Sequence, residues 1–204
     1  MSPALLLLHQ WGSNRHSYDE FARKMQAAGF NVLAIDGRGF GESTKKADGT
    51  TLAAGRTDAD VKAMQSDVGA AFDFLSKNKN VDPKRIAIVG ASYGSSLALI
   101  YAADKPEVAA IALLSPGLNY FGNMQTAPAM KKYGKRPVYM AAADDDKESA
   151  EAVRSLGTGG TSADHIKKAY TSGGHGTALF GSQPALADEL LEFFRQHLQS
   201  QAAS

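Results

Sequence analysis

Residues 85–100 read RIAIVGASYGSSLALI, and this stretch predicts a buried strand that runs directly into a helix. Residues 86–89 are apolar and mostly β-branched, and small residues open the helix that follows. Gly90 and Gly94 lie two residues to either side of Ser92, and because glycine has no Cβ atom, the strand and helix backbones can approach each other there. The pattern predicts that Ser92 stands in a strained turn at the carboxyl end of a strand, where a nucleophile meets its substrate.

The same pattern also fits a plain tight turn between a core strand and a core helix. The two interpretations differ in their surroundings, since a serine nucleophile needs a base, an acid and donors for an oxyanion at the same place. One donor is expected within the motif itself, because the Tyr93 amide belongs to the first turn of the helix and has no acceptor inside that helix. The other groups must come from loops that follow other strands.

Four other apolar segments have the length of strands, residues 165–170 are a candidate for a further short strand, and stretches with helical periodicity separate these five segments. This alternation predicts an α/β fold with a mostly parallel sheet of about six strands and helices on both faces. With 204 residues, of which 44% are hydrophobic, the chain is expected to form a single domain over residues 1–204. The five segments are residues 5–8, 31–35, 108–114, 138–142 and 165–170.

Composition narrows the classes of function. The 22 Lys and Arg residues nearly balance the 21 Asp and Glu residues, so neither nucleic acid nor a membrane is expected as a partner. The chain contains no cysteine, which excludes disulfides, thiolate metal sites and a cysteine nucleophile. The apolar run at residues 4–8 is too short for a signal-peptide core. We therefore expect a cytoplasmic protein, unless a targeting segment has been removed ahead of a chain that begins almost directly on a predicted strand.

His175 is the best candidate for a general base. It lies in the glycine-rich turn Gly-Gly-His-Gly at residues 173–176, just before the last predicted helix, where packing does not require an imidazole. An imidazole titrates near neutrality, so it can accept a proton from a serine hydroxyl and return it to a leaving group. The alternative is a loop histidine that makes only local hydrogen bonds.

Taken together, these motifs resemble those of the α/β-hydrolases, and the resemblance extends over nearly the whole chain. The order of the candidate residues, serine followed by aspartate and then histidine, is the one expected of that fold. Four motifs carry the resemblance: HQWG at residues 9–12, DGRGFGES at 36–43, GASYG at 90–94 and GHG at 174–176.

The resemblance implies roles for the first two motifs. The Trp11 amide corresponds to the second oxyanion donor, beside that of Tyr93, although Gln10 stands where the family usually has glycine. His9 is expected to hold this loop in place. Asp36 and Arg38 are expected to brace the loops around the site, because the lysine and Ser/Thr spacing of a nucleotide-binding loop is absent.

The acid of the triad is expected among three consecutive aspartates. In similar hydrolases the strand is followed by Gly-x-x-Asp, and residues 143–146 read ADDD, so the resemblance ranks Asp146 first, Asp145 second and Asp144 third. These carboxylates could also hold a hard cation, but no second oxygen-rich motif accompanies them, and no metal is expected.

The resemblance implies a serine hydrolase that cleaves a carboxylic ester through an acyl-enzyme and needs no cofactor. Only residues 118–136 are available to cover the site, so we expect a small-molecule partner, namely a small or short-chain acyl ester. A serine peptidase and a thioesterase on the same triad are alternatives. Dienelactone hydrolases are near neighbours, but they commonly have cysteine in place of Ser92. A non-catalytic binding protein that keeps the fold is the alternative from another class.

Overall fold

The computed structural model describes residues 1–157 and 164–199. Within them, six strands form one sheet in which every neighbouring pair is parallel, in the order β2-β1-β3-β4-β7-β8. This confirms the predicted α/β fold. The strands are β1 (Ser2–Leu8), β2 (Asn31–Ile35), β3 (Val81–Ala91), β4 (Val108–Leu114), β7 (Val138–Ala143) and β8 (His165–Tyr170).

The connection between β4 and β7 contains a small antiparallel hairpin that the sequence did not predict. Its two strands, β5 (Asn119–Tyr120) and β6 (Met124–Gln125), have only two residues each. Helix α4 (Thr126–Tyr133) follows directly. A two-residue strand is too short to give a periodic signal, so the pattern of residues 118–136 does not indicate a hairpin.

Helices cover both faces of the sheet. One face carries α2 (Asp58–Ser76), α3 (Tyr93–Asp104), α4 and α5 (Lys147–Leu156). The other carries α1 (Asp19–Ala27), α6 (Ala178–Ser182) and α7 (Leu186–Phe194). A 3₁₀ turn, Arg15–Tyr18, precedes α1, and a π-helical turn, Arg195–Gln199, continues α7.

The core explains why the first predicted strand is a continuous run of leucine. In β1, Leu6 packs into the core on one face of the sheet and Leu5 and Leu7 pack into the core on the other. Alternate residues of a strand point to opposite faces, so a strand covered on both sides must be apolar throughout.

The carboxyl ends of the six parallel strands lie at one edge of the sheet, and their loops carry the candidate residues.

Within residues 1–157 and 164–199, no helix is both long enough and apolar enough to span a membrane.

Phe72 and Phe74 provide a test of the core within one helix. Phe72 is 2% exposed in the core below α2, whereas Phe74 is 64% exposed. We expect Phe72→Ala to lower the free energy of unfolding by about 3–5 kcal/mol, because it leaves a cavity in a packed core. Phe74→Ala should change it by less than about 0.5 kcal/mol. Urea unfolding measures both, and equal effects would contradict this account of the core.

Candidate active site

Ser92 lies in the turn between β3 and α3, with a φ of 54° and a ψ of −125°. Few residues other than glycine adopt a positive φ, so this backbone is strained and must be held by its surroundings. The two flanking glycines explain how. A Cβ atom on Gly90 would lie 2.1 Å from the Gly94 carbonyl oxygen, and one on Gly94 would lie 2.6 Å from the Leu8 carbonyl oxygen. The strand and helix therefore pack in direct backbone contact around Ser92.

His175 and Asp146 are joined by a short hydrogen bond, 2.6 Å from Nδ1 to Oδ2. Since a carboxylate only accepts, the imidazole donates its Nδ1–H, and Nε2 is left as the acceptor. Burial disfavours the charged carboxyl, but the Ser149 hydroxyl and the imidazole outweigh it and hold the pKa of Asp146 below its ordinary value of 3.8. The Ser149 hydroxyl lies beside this carboxylate without reaching hydrogen-bond geometry. Asp146 is thus ionised at neutral pH.

The three consecutive aspartates have different partners. Asp146 contacts His175. Asp145 accepts hydrogen bonds from the backbone amides of Gly173 and Gly174, at 3.1 and 3.2 Å. Asp144 lies 3.8 Å from Arg154 in an exposed ion pair. Of the three aspartates, Asp146 is the one whose side chain contacts the imidazole, and its role as the acid stays a prediction.

Ser92 and His175 lie at the same sheet edge, but in the described part of the chain no hydrogen bond joins their side chains. In ligand-free enzymes this bond is often long or poorly aligned. The Ser92 hydroxyl instead lies beside that of Tyr120. Burial raises the pKa of Tyr120, and the nearby Ser92 and Ser149 hydroxyls partly offset this. Tyr120 belongs to the unpredicted hairpin, and no sequence motif pointed to it.

The two predicted oxyanion donors are backbone amides at the same edge. Neither the Trp11 nor the Tyr93 amide has an acceptor among the residues that the structure describes. The Trp11 ring packs edge-on against three aromatic rings, with centroids 4.8 Å from Phe121, 4.9 Å from Phe40 and 5.4 Å from Tyr93. The Arg56 guanidinium lies 4.7 Å from its centroid. Trp11 is therefore a packed aromatic residue whose amide remains available.

Hydrogen bonds from two side chains fix the Trp11 loop. His9 donates from Nδ1 to the Gln10 carbonyl at 2.8 Å and accepts at Nε2 from the Gly37 amide at 2.9 Å. Gln10 accepts at Oε1 from the Thr177 amide and hydroxyl, at 3.1 and 2.8 Å. The glutamine that replaces the family's usual glycine thus ties the predicted oxyanion loop to the histidine loop. No sequence pattern predicts this contact.

Asp36 and Arg38 hold their loop through separate partners. Asp36 pairs with Arg15 and accepts from the Glu42 amide at 2.9 Å. Arg38 makes two hydrogen bonds of 2.6 Å to Asp67 on α2. Both side chains are engaged in bracing, as predicted.

Comparisons with known proteins identify the family. The family model for the alpha/beta hydrolase fold matches residues 3–147, and the chain belongs to that family. The thiohydrolase apmlB of Arthrinium phaeospermum is 31% identical over 146 residues, which cover 65% of this chain and 45% of that protein. The chain spans less than half the length of the curated relatives that it matches.

Solved structures agree on the fold. The dienelactone hydrolase of Anabaena variabilis has a TM-score of 0.74 at 21% identity, with 97% of this chain and 87% of that chain covered. Acetyl xylan esterase 1 from a Thermoanaerobacterium species has a TM-score of 0.74 at 20% identity, with 95% and 74% covered. The protein is thus an α/β-hydrolase whose structural neighbours include esterases.

His9 should make stability depend on pH. Burial lowers its pKa below the ordinary 6.5, so the unfolded chain binds a proton more readily. The contribution of neutral His9 is complete above pH 6.5 and is lost as the pH falls toward the folded-state pKa. Protonation at Nε2 would also oppose the Gly37 amide.

We expect His9→Gln, which does not titrate, to lose less unfolding free energy than the parent between pH 7 and pH 5. The sign of the difference follows from the lowered pKa of His9: the parent loses stability as the pH falls, and the variant lacks this contribution. Urea unfolding at both pH values measures it, with His16→Gln as the control on an exposed histidine. Parallel curves for the parent and His9→Gln would contradict the assignment.

Proposed function

We propose that this α/β-hydrolase is a serine hydrolase that cleaves carboxylic esters through an acyl-enzyme. The observation that supports this most strongly is the 2.6 Å hydrogen bond from His175 to Asp146 at the sheet edge where Ser92 stands in its strained turn. A nucleophile, a base and an oriented acid at one place are what acyl transfer requires.

In the proposed reaction, Ser92 Oγ attacks the ester carbonyl carbon while His175 Nε2 accepts the hydroxyl proton. Asp146 stabilises the resulting imidazolium through Nδ1–H. The carbonyl π electrons move onto oxygen, which becomes an oxyanion. As the tetrahedral intermediate collapses, the C–O bond to the alcohol breaks and His175 donates its proton to that oxygen. Water then attacks the acyl-enzyme, with His175 again as base, to release the acid and restore the Ser92 hydroxyl.

The oxyanion would be stabilised by the amides of Trp11 and Tyr93. Each such donor contributes about 3 kcal/mol to the transition state when it is already aimed at the developing charge. Trp11 is suited to this role because its loop is fixed by His9 and Gln10 before any substrate binds.

A small or short-chain acyl ester is the substrate class that we propose. The connection between β4 and β7 supplies only the hairpin and α4 near the site. Beside Tyr120 lies a cavity of about 420 Å³, within the range of small-molecule sites. It is lined by Gly117, Leu118, Lys147 and Glu148 among others, and a cavity of this volume suits a short acyl group better than a long lipid chain.

Thioester hydrolysis is a second candidate, favoured by the 31% identity to a protein named as a thiohydrolase. The same attack by Ser92 would then expel a thiolate.

A cytoplasmic location, the single domain and the absence of a nucleic-acid partner stay predictions from the sequence.

The first experiment is labelling with a fluorophosphonate, read by intact mass. Labelling requires an exposed and activated nucleophile, so the parent should gain one adduct and Ser92→Ala none. Asp146→Asn should slow labelling by about 10³-fold or more, because the imidazole loses its orienting carboxylate.

The neighbouring aspartates are the matched controls. Asp144→Asn should label at the parent rate, and Asp145→Asn should slow labelling less than tenfold through the histidine loop. If Asp145→Asn were the slow variant, the assignment of the acid would be wrong. A folded parent that takes no label would favour the non-catalytic binding protein.

A series of p-nitrophenyl esters tests the substrate class. We expect kcat/KM to be highest for acetate to butyrate and to fall at octanoate and beyond, because longer chains outgrow the site. Thioesters with matched acyl groups, assayed in parallel, distinguish the second candidate. A rate that rises steadily with acyl length would exclude the short-chain proposal.

A further inference from the structure

Ser115 lies immediately after β4, is fully buried and has a φ of 49°. That value is in the left-handed region that favours glycine, and a serine there is uncommon. Strained residues of this kind persist where the surrounding structure fixes them, and they cluster at functional sites. The contacts of the Ser115 side chain show what it holds.

The Ser115 hydroxyl touches the histidine loop. The Gly176 amide donates to Ser115 Oγ at 2.8 Å, and Gly176 directly follows His175 in the chain. This occupies a lone pair of the hydroxyl and leaves its proton free. The same hydroxyl is among the groups that hold the pKa of Asp146 low. One side chain thus lies between the loop of the candidate base and the candidate acid.

The backbone around Ser115 connects the other parts of the site. The Ser115 amide donates to the Ala141 carbonyl on β7 at 2.8 Å, and the Ser92 amide donates to the Leu114 carbonyl at 2.8 Å. The Ser115 carbonyl accepts from Tyr120 Oη at 3.1 Å. Ser115 and the peptide group before it therefore contact three parts of the site: β7, which leads to Asp146, the turn at Ser92, and the hairpin through Tyr120.

We propose that Ser115 is a positioning residue of the triad: its hydroxyl accepts from the Gly176 amide and so fixes the histidine loop, which keeps His175 aligned with Asp146. Ser115 touches no substrate atom in this role. The inference rests on the proposed function, since it assigns a task within the same site.

Two substitutions separate the hydroxyl from the backbone conformation. Ser115→Gly removes the hydroxyl but adopts a positive φ freely, whereas Ser115→Ala removes the hydroxyl and keeps the strain. We expect both variants to label with fluorophosphonate at least tenfold more slowly than the parent. KM for a p-nitrophenyl ester should stay within twofold while kcat falls. The Tm of Ser115→Gly should be no lower than that of Ser115→Ala, because both lose the hydroxyl and only glycine relieves the strain.

Two further measurements make the test specific. The downfield proton resonance of the His175 Nδ1–H, which bridges to Asp146, should shift or broaden in Ser115→Gly. Ser182→Ala is the matched control, because the Ser182 hydroxyl also bonds the histidine loop, at the Gly173 carbonyl at 2.8 Å, but does not touch Gly176. Ser182→Ala should label like the parent and keep the resonance.

The proposal is overturned if Ser115→Gly labels at the parent rate with an unchanged resonance. It is also overturned if Ser115→Ala is slow and Ser115→Gly is not, since the backbone conformation alone would then matter. A parent that takes no label would refute the proposed function. The resonance, compared between the parent and Ser115→Gly, would still decide whether the hydroxyl positions His175 against Asp146.

Discussion

At Gly90 the central strand passes so close to the first turn of α3 that a Cβ atom would lie 2.1 Å from the Gly94 carbonyl oxygen. This backbone contact forces the chain to reverse at Ser92 with a positive φ. The strain places the serine at the edge of the sheet while the unpartnered amides of the helix start beside it. A Cβ atom at Gly90 would push the central strand away from α3, and one at Gly94 would push α3 away from the end of β1. Either change would displace Ser92 and the Tyr93 amide, the candidate nucleophile and a candidate oxyanion donor.

Around this turn, the site is assembled by hydrogen bonds between loops that follow different strands. The histidine loop is held by Gln10 from the loop after β1, by Ser115 from the end of β4 and by Asp145 from the loop after β7. These bonds connect the histidine loop to three other strands. The position of the imidazole therefore depends on loops that follow three other strands, in addition to its own loop.

Much of the fold and part of the site could be predicted because the signals are local. The strand, turn and helix around Ser92 follow from 16 consecutive residues, and β1 follows from a run of leucine. The Gln10–Thr177 contact joins residues 167 positions apart, and Ser115 and Gly176 are 61 apart. Such contacts leave no periodic trace. Tyr120 was missed for the same reason, since its approach to Ser92 depends on a hairpin with two residues per strand.

The hairpin links the two sides of the site. Tyr120 points toward Ser92 and the acid, while Phe121 packs 4.8 Å from the Trp11 ring on the side of the predicted oxyanion hole. Arg56 lies over both aromatic rings, at 4.7 and 5.0 Å. These contacts hold the partly buried Trp11 ring, and with it the backbone that carries the Trp11 amide. Donors that are fixed before charge develops need no reorganisation during the reaction, which is the condition under which an oxyanion hole stabilises the transition state most effectively.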